Sequence, residues 1–414
     1  ALLGVGSPMS ASAQVPAVTP PVPVSMPGGF TPLSPSRLLD TRDGTGAPKV
    51  AVAAHGTVHL QVADNGGVPA SSVVSAVVLN VTVTAPTTFG FVTVYADGAT
   101  RPTASNLNFV KGQTVPNLVI APVGANGQVD LYNGSTGTIQ LLADVSGYSL
   151  AGDATDPTAA GAFASLAPFR LLDTRDGTGA PKAAVAPGGT VNLQVAGTDG
   201  IPASGVSAVV LNVTVTAPTS FGFVTVFGGA TSRPTASNLN FVTAQTVPNL
   251  VITPVGANGQ VDLYNGSTGT IQLVADVSGY SLGGTPTAAG AFGSLAPVRL
   301  LDTREGTGAA KAAVAAHGTV HLQVSGKGGV PASGVSAVIL NVTVTARPSF
   351  GFVTDSAGGA TRPTASNVNF AQSQTVPNLV HAPAGSNRHA ALNTRLTSTH
   401  QHQAGVQGSI YTRG

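Results

Sequence analysis

Two carboxylates, Asp40 and Asp43, lie close together in the segment Asp40–Gly46, in which they are followed by glycines. Carboxylate oxygens around a tight turn are typical of calcium loops. Arg42 lies between the two acids, however, and a fixed cation there competes with a metal for both carboxylates. We therefore favour an architectural role, in which Asp40 forms an Asx turn and pairs with Arg37, Arg42 or Arg101. A small calcium site at this loop stays the alternative.

The same pattern recurs along the chain, because Arg-Leu-Leu-Asp-Thr-Arg is found at 37–42, 170–175 and 299–304. A spacing of about 130 residues is that of a whole domain rather than of a solenoid repeat. Each repeat also has an arginine before a proline that could be a distant ion-pair partner. The candidate ion-pair and turn residues are Arg37, Asp40, Arg42 and Arg101; Arg170, Asp173, Arg175 and Arg233; and Arg299, Asp302, Arg304 and Arg362.

Serine hydrolysis needs a serine, a histidine base and an orienting acid in one pocket. The repeats share no histidine: His55 and His59 have counterparts in the third repeat, but Gly188 and Asn192 occupy those places in the second. The nucleophile elbow G-x-S-x-G is absent as well. We predict that the protein is not an enzyme and binds no cofactor or metal.

Two sequence features could involve sugars. Asn-x-Thr, the acceptor pattern of N-glycosylation, occurs at Asn80, Asn212 and Asn341, but these residues fit the polar face of an amphipathic strand better. Carbohydrate modules present exposed aromatic residues, and this chain has no tryptophan. The remaining aromatic candidates are Tyr132, Tyr264, Phe89, Phe221 and Phe350. Because aromatic residues at strand ends more often fill a core, we expect them to be core residues.

Composition narrows the function further. Of 414 residues, 42% are hydrophobic and only 8% are charged, and the formal net charge is +2. No basic stripe exists for nucleic acid, and no apolar run approaches the roughly 18 residues of a membrane span. With no cysteine, disulfides and thiolate metal sites are excluded. The 52 glycines and 30 prolines indicate many turns and few helices.

Within each repeat the hydrophobic pattern has period two, which is typical of β-strands. In the segment 76–84 the residues Val77, Leu79, Val81 and Val83 point to one face, which we predict to be core, as we do for their counterparts Val209, Leu211, Val213 and Val215. Seven or eight short strands per repeat predict an all-β fold of three tandem β-sandwich domains, immunoglobulin-like or jelly-roll, each able to fold alone. The predicted domains are 30–150, 163–283 and 292–414, and the linkers between them are 151–162 and 284–291.

The N-terminal segment predicts export. Residues 1–13 are apolar and then small, which is typical of the end of a signal peptide, and residues 14–29 form a Pro-rich linker. We therefore expect a secreted, extracellular protein that is associated with the cell surface.

The motifs that recur in the repeats are Arg-Leu-Leu-Asp-Thr-Arg, Leu-Asn-Val-Thr-Val-Thr, Gly-Phe-Val-Thr-Val, Thr-Val-Pro-Asn-Leu-Val and Ala-Asp-Val-Ser-Gly-Tyr. This string resembles a tandem all-β repeat of secreted and surface proteins of actinobacteria, where it also occurs appended to extracellular hydrolases. The resemblance covers nearly the whole chain after Phe30. It implies an extracellular location and a modular architecture, and it assigns no catalytic residue.

We expect a non-catalytic extracellular structural or adhesive repeat protein, which acts as a cell-surface spacer or assembly module and needs no cofactor. The alternative is a weak multivalent protein that binds carbohydrate or cell wall. The expected partners are accordingly polysaccharide or a second copy of the chain. A third interpretation, an accessory segment of a hydrolase, is less favoured because the signal-like start leads directly into the first repeat.

The third repeat has diverged in its C-terminal part. When the two repeats are aligned, His389–Asn393 stands in the place of Gln128–Tyr132, and His400–Gln403 stands in the place of Ile139–Leu142. Two predicted strands of the third repeat have thereby lost most of their apolar residues. His400 and His402 could chelate a metal, although random replacement explains them equally well. We expect this degraded part to be poorly ordered.

Overall fold

The computed structural model describes residues 28–151, 159–235, 237–285, 288–345, 351–363, 367–370, 375–385, 387–395 and 400–412. The predicted signal-peptide remnant, nearly all of the Pro-rich linker and part of each linker between repeats lie outside these ranges. The regular structure of the described residues is β throughout, apart from one short 3-10 turn at Ser71–Val73. None of their helices is long and apolar enough to cross a membrane.

Each repeat contributes eight strands. The first has β1 Phe30–Asp40, β2 Thr57–Gln61, β3 Val74–Thr84, β4 Gly90–Ala96, β5 Leu107–Phe109, β6 Val115–Pro122, β7 Gln128–Asn133 and β8 Gln140–Leu150. The second has β9 Phe163–Asp173, β10 Thr190–Gln194, β11 Val206–Thr216, β12 Gly222–Gly228, β13 Leu239–Phe241, β14 Val247–Pro254, β15 Gln260–Asn265 and β16 Gln272–Leu282. The third has β17 Phe292–Asp302, β18 Thr319–Gln323, β19 Val335–Thr345, β20 Gly351–Ala357, β21 Val368–Phe370, β22 Val376–Pro383, β23 His389–Arg395 and β24 Gln401–Tyr411.

The strands of each repeat form two antiparallel sheets of four strands. In the first repeat the inner sheet has the order β1-β8-β3-β6 and the outer sheet the order β2-β7-β4-β5, and the other repeats follow the same plan. The predicted core residues are confirmed: Val77, Leu79, Val81 and Val83 are fully buried between the two sheets. Their counterparts in the second repeat are equally buried.

The opposite face of each inner sheet is buried as well. Ala76 and Val78 of β3 and Leu118 and Ile120 of β6 meet their counterparts from the other two repeats in one central core. Phenylalanines from the start of each repeat join this core, and the rings of Phe30 and Phe163 lie 4.8 Å apart between centroids. The three repeats therefore share a core that none of them has alone.

Backbone hydrogen bonds link the repeats into a closed ring. The amide of Phe163 donates to the carbonyl of Gly28, and the amide of Phe292 donates to the carbonyl of Gly161. The amide of Phe30, at the start of the first repeat, donates in turn to the carbonyl of Gly290. The first strand of each repeat is thus hydrogen-bonded to the segment that precedes the first strand of another repeat, and these bonds link all three repeats in a cycle.

Buried asparagines follow the same cyclic order. The side chain of Asn249 on β14 donates from Nδ2 to Asn341 Oδ1 of the third repeat at 2.8 Å and to the Asn238 carbonyl at 2.7 Å, and its Oδ1 accepts from the amide of Leu379. Equivalent side-chain pairs join Asn117 to Asn212 and Asn378 to Asn80. This asparagine ring, formed by Asn117, Asn249 and Asn378 with Asn80, Asn212 and Asn341, explains the Pro-Asn-Leu-Val motif. It also buries the predicted polar face that carries the Asn-x-Thr sequences, because Asn80 is only 1% exposed.

The prediction of three tandem β-sandwich domains is therefore wrong. The six small sheets are arranged as a six-bladed β-propeller, in which the three inner sheets meet in the central core. Apart from the pair β4 and β5 and its counterparts β12 and β13, and β20 and β21, strands that neighbour one another within a blade are not consecutive in the chain. The prediction failed because the Asn and Thr face of β3 was interpreted only as a polar face, either wet or packed on polar neighbours, and not as a face that packs against the other repeats.

The diverged segments of the third repeat form strands in the structure. Within β24, Gln403 and His402 pair with Thr343 and Val344 in the register that Leu142 and Leu141 have with Thr82 and Val83. These replacements place polar groups in the core, since His402 and His381 are almost completely buried. The Nδ1 atom of His402 and the Nε2 atom of His381 find no hydrogen-bond partner among the described residues. The divergence thus adds unsatisfied polar groups, which destabilise a fold.

Candidate functional site

The Arg-Leu-Leu-Asp-Thr-Arg segments end the first strand of each repeat in a cluster of ion pairs. Asp40 Oδ1 accepts from the amide and the Nε of Arg42, at 3.0 and 2.9 Å. Asp40 Oδ2 accepts from Arg37 Nη1 at 2.8 Å and from Arg42 Nη2 at 2.6 Å. The bonds recur in the second and third repeats, around Asp173 and Asp302. Because arginine occupies both oxygens of this buried carboxylate, the geometry fits the architectural role.

The carboxylate of Asp43, in the same loop, binds a different residue. Its Oδ1 accepts from the amide and the hydroxyl of Thr45 at 2.9 and 2.8 Å. The two acids of this loop therefore do not converge on one point. Burial raises the pKa of Asp40, but the hydrogen bonds from Arg42 outweigh it and hold the pKa below the usual 3.8. The arrangement gives no support to the calcium alternative.

The arginines that precede a proline are not the distant ion-pair partners that the sequence suggested. Arg101 lies over the ring of Tyr132, with its guanidinium carbon 3.8 Å from the ring centroid, and Arg233 lies over Tyr264 at 3.9 Å. Arg362 is exposed, and Asn393 takes the place of the tyrosine there. The distant partner of Arg37 is instead Asp144 on β8, which sequence reasoning missed. Its recurrence in the Ala-Asp-Val-Ser-Gly-Tyr motif was the available signal.

Aromatic and acidic side chains lie together on the side of the outer sheet that points away from the core, which we call the outer face. In the first repeat this face carries Phe91, Asp130 and Tyr132, and in the second it carries Phe223, Asp262 and Tyr264. These residues alternate along β4 and β7 with core valines and leucines. The rings of Phe91 and Tyr132 lie 6.4 Å apart, as do those of Phe223 and Tyr264.

Four of the five aromatic residues named from sequence are thus not core residues, and the fifth, Phe350, lies outside the described residues. Tyr132 and Tyr264 are half-buried on the outer face, and Phe89 and Phe221 are 78% and 74% exposed. The turn that follows Tyr132 requires a glycine, because a Cβ at Gly134 would lie 2.3 Å from the ring of Phe91. An aromatic pair with an arginine stacked on it is a surface that suits the flat apolar side of a planar or ring-shaped ligand.

A cluster with metal-ligand spacing lies on the outer face of the first repeat. His59 Nδ1 is 2.7 Å from Asp130 Oδ1 and 3.1 Å from Asp97 Oδ1, and the three ligand atoms lie within 4.8 Å of one another. The hydrogen bond to Asp130 raises the pKa of His59, and burial raises the pKa of Asp130. The trio could share a proton or bind a divalent cation. It is confined to one repeat, since Asn192 and Gly229 stand in for His59 and Asp97 in the second.

No family model and no curated protein matches the chain. Among solved structures, a chain from the triple jelly roll and turret assembly of an archaeal virus is 8% identical, with a TM-score of 0.20 over 93% of this chain and 91% of its own. A chain of the Sulfolobus turreted icosahedral virus is 12% identical, with a TM-score of 0.18 over 88% and 86%. The N-terminal tandem of two CBM22 domains of Paenibacillus barcinonensis Xyn10C is 13% identical, with a TM-score of 0.18 over 61% and 99%. Scores this low assign neither fold nor function.

Proposed function

We propose that the protein is a non-catalytic extracellular structural or adhesive module, which acts at the cell surface as a rigid spacer or assembly unit. The observation that supports this role is the asparagine ring. It joins the repeats through buried hydrogen bonds in cyclic order, so that the three repeats behave as one rigid body rather than as beads on a flexible string. Rigidity of this kind suits a load-bearing or assembling surface protein.

The experiment compares self-association and surface retention of the purified chain. Sedimentation velocity over a range of concentrations measures self-association, and co-sedimentation with isolated bacterial cell walls measures retention. A structural or adhesive module should either self-associate or be retained on the walls, and it should resist protease throughout residues 28–412. A protein that stays monomeric, is not retained and is rapidly digested would contradict the proposal.

Polysaccharide binding is the second candidate function, and the outer face supports it. The first two repeats each present a half-buried tyrosine with an arginine stacked on its ring and a phenylalanine beside it. Two such faces on one rigid body would bind a polymer with avidity. The third repeat has lost this surface, because Asn393 replaces the tyrosine.

Affinity electrophoresis in gels that contain soluble polysaccharides tests this second function. The wild-type protein should be retarded, and the double variant Y132A/Y264A should not. Either single variant should show at most about half of the wild-type retardation. The exposed Val50→Ala is the matched control and should migrate as the wild type does. Equal retardation of wild type and double variant would rule out the outer faces as the binding surface.

A further inference from the structure

The ion-pair clusters of the first two repeats are completed by a second aspartate. Arg170 donates from Nε to Asp276 Oδ1 at 2.6 Å and from Nη2 to Asp276 Oδ2 at 3.3 Å, while its Nη1 donates to Asp173. Arg37 holds Asp144 through the same two nitrogens. In each case the Nε and Nη2 edge of the first arginine grips a buried carboxylate in the bidentate manner that guanidinium groups favour.

The third repeat lacks this carboxylate. Gly405 pairs with Arg299 in the ladder between β17 and β24, in the register that Asp276 has with Arg170. Arg299 keeps the bond from Nη1 to Asp302, at 2.7 Å, but no residue in the described part of the chain accepts from its Nε or Nη2. The third repeat therefore has one negative charge fewer beside the same two arginines.

A cleft of about 490 Å³ lies at this position, between the second and third repeats. The third repeat contributes Arg299, Arg304 and Gln403 to its lining, and the second contributes Phe221, Phe223 and Ser237. The volume is within the range of small-molecule sites, roughly 300 to 1,000 Å³. The cleft thus joins a cationic wall to an aromatic wall, one from each repeat.

The second repeat also offers a backbone donor. At the junction of the first and second repeats, the backbone of Ser105 hydrogen-bonds to Asp276, whose carboxylate thereby contacts both repeats. Ser237 is the counterpart of Ser105 and lines the cleft. A carboxylate at the place of the missing aspartate would meet both the guanidinium of Arg299 and this backbone segment.

We propose that the cleft between the second and third repeats binds a small organic carboxylate with an apolar ring. The carboxylate takes the position that Asp276 has beside Arg170 and accepts from Nε and Nη2 of Arg299. The ring packs against Phe221 and Phe223. The proposal rests on the loss of one aspartate and is independent of the structural or adhesive role. It shares one residue, Phe223, with the outer face of the second repeat.

Isothermal titration of the full chain with benzoate tests the site. Benzoate should bind with one site per chain, and both G405D and R299Q should weaken binding by roughly tenfold or more, which corresponds to about 1.4 kcal/mol. G405D is the sharper variant, because the sister repeats carry aspartate at this register and fold. Equal affinity of wild type and G405D would overturn the proposal.

The second repeat supplies the matched gain of function. D276G should create an equivalent site at the junction of the first and second repeats, so that the variant binds two benzoates where the wild type binds one. Gly405 shows that this strand position accepts glycine. An unchanged stoichiometry in a folded D276G variant would contradict the assignment of the binding edge to the arginine.

Two further ligands separate the parts of the proposal. Acetate supplies the carboxylate without the ring and should bind roughly tenfold more weakly than benzoate, because it gains no contact with the phenylalanines. Benzyl alcohol supplies the ring without the charge and should not bind measurably. If acetate binds as tightly as benzoate, the phenylalanines do not contribute to the site. If benzyl alcohol binds as tightly as benzoate, Arg299 does not contribute to it.

Discussion

Asn378 in the third repeat donates a hydrogen bond from Nδ2 to Asn80 Oδ1 in the first repeat at 2.7 Å, although 298 residues separate them along the chain. Together with the backbone hydrogen bond from the Phe30 amide to the Gly290 carbonyl, this contact closes the three repeats into a ring. With it, every repeat has the same two neighbours. The stability of each repeat therefore depends on the presence of the other two, which the following predictions test.

The isolated second repeat, residues 163–283, should self-associate. On its own it would expose Phe163, Val210, Leu250 and Ile252, which are buried in the central core of the whole chain. An exposed apolar patch of this kind favours association. Analytical ultracentrifugation should show trimers or larger species, and the variant V210T/I252T should be less associated. A stable monomer would mean that the repeat is an independent domain after all.

Asn249→Ala should destabilise the whole chain by about 2 to 5 kcal/mol. The substitution removes the donor to Asn341 Oδ1 and the acceptor of the Leu379 amide, and each such buried group costs about 1 to 3 kcal/mol before relaxation. The Asn238 carbonyl also loses the bond from Asn249 but keeps one from Asn341 Nδ2 at 3.2 Å. Denaturant unfolding should remain a single transition, shifted to lower denaturant. The exposed Asn258→Ala is the control and should change the free energy of unfolding by less than about 1 kcal/mol. A separate early transition for one repeat would argue against the ring.

Asp173→Asn should remove an acid-sensitive part of the stability. The side-chain hydrogen bond from Arg175 lowers the pKa of Asp173 from 3.8 to about 2. A carboxyl whose folded pKa is depressed stabilises the protein above its unfolded pKa, and this contribution is lost as the pH falls from 3.8 to about 2. At pH 7 the variant should lose about 2 kcal/mol in free energy of unfolding, and the difference from wild type should vanish near pH 2.

Asp176→Asn, in the same loop but exposed, is the matched control for this acid dependence and should change stability by less than about 0.5 kcal/mol. Calcium should leave the melting temperatures of both variants and of the wild type unchanged. A melting temperature that rises with calcium in the wild type and not in Asp173→Asn would restore the metal site.

His381→Ile should stabilise the protein more at pH 5 than at pH 7. Burial lowers the pKa of His381 to about 4, and a hydrogen bond with the carbonyl of Ser146 only partly offsets this. The neutral histidine is tolerated above pH 6.5, but below that value the unfolded chain takes up a proton that the folded chain refuses, so stability falls. At pH 5 this effect amounts to about 2 kcal/mol.

The isoleucine variant should lose that pH dependence, since Ile120 and Ile252 occupy the same position in the sister repeats. Denaturant unfolding of wild type and variant at the two pH values measures the difference. His321→Asn is the control, because His321 is exposed and Asn192 stands at its place in the second repeat. An unchanged difference between wild type and His381→Ile from pH 7 to pH 5 would place the imidazole in contact with water.

Sequence reasoning located the strands, the repeat and the core face of β3, because a period of two directly reports which side chains share a face. It could not tell what covers the other face. Ala76 and Val78 were apolar signals there, but Asn80 and Thr82 fitted a polar face that is either wet or packed on polar neighbours. Only the cyclic arrangement supplies the partners that allow Asn80 to be buried.

The ion-pair clusters show a similar division. The bonds among Arg37, Asp40 and Arg42 are local, so the spacing of the residues was enough to suggest them. Asp144 lies far away in sequence and reaches Arg37 through the ladder between β1 and β8, whose register the sequence does not give. The cleft depends on the same register, because only the pairing of Arg299 with Gly405 reveals that a carboxylate is missing.

Linear repeat proteins must protect their two ends with atypical capping repeats. A closed ring has no end to protect, and this changes how such a sequence can evolve. Because each repeat is held between two others, one of the three can accumulate destabilising substitutions while its neighbours keep it folded. The third repeat, with His381, His402 and Gly405, has the composition expected of the copy that is free to drift, and drift at a junction is a route by which a symmetric scaffold acquires one unsymmetric binding site.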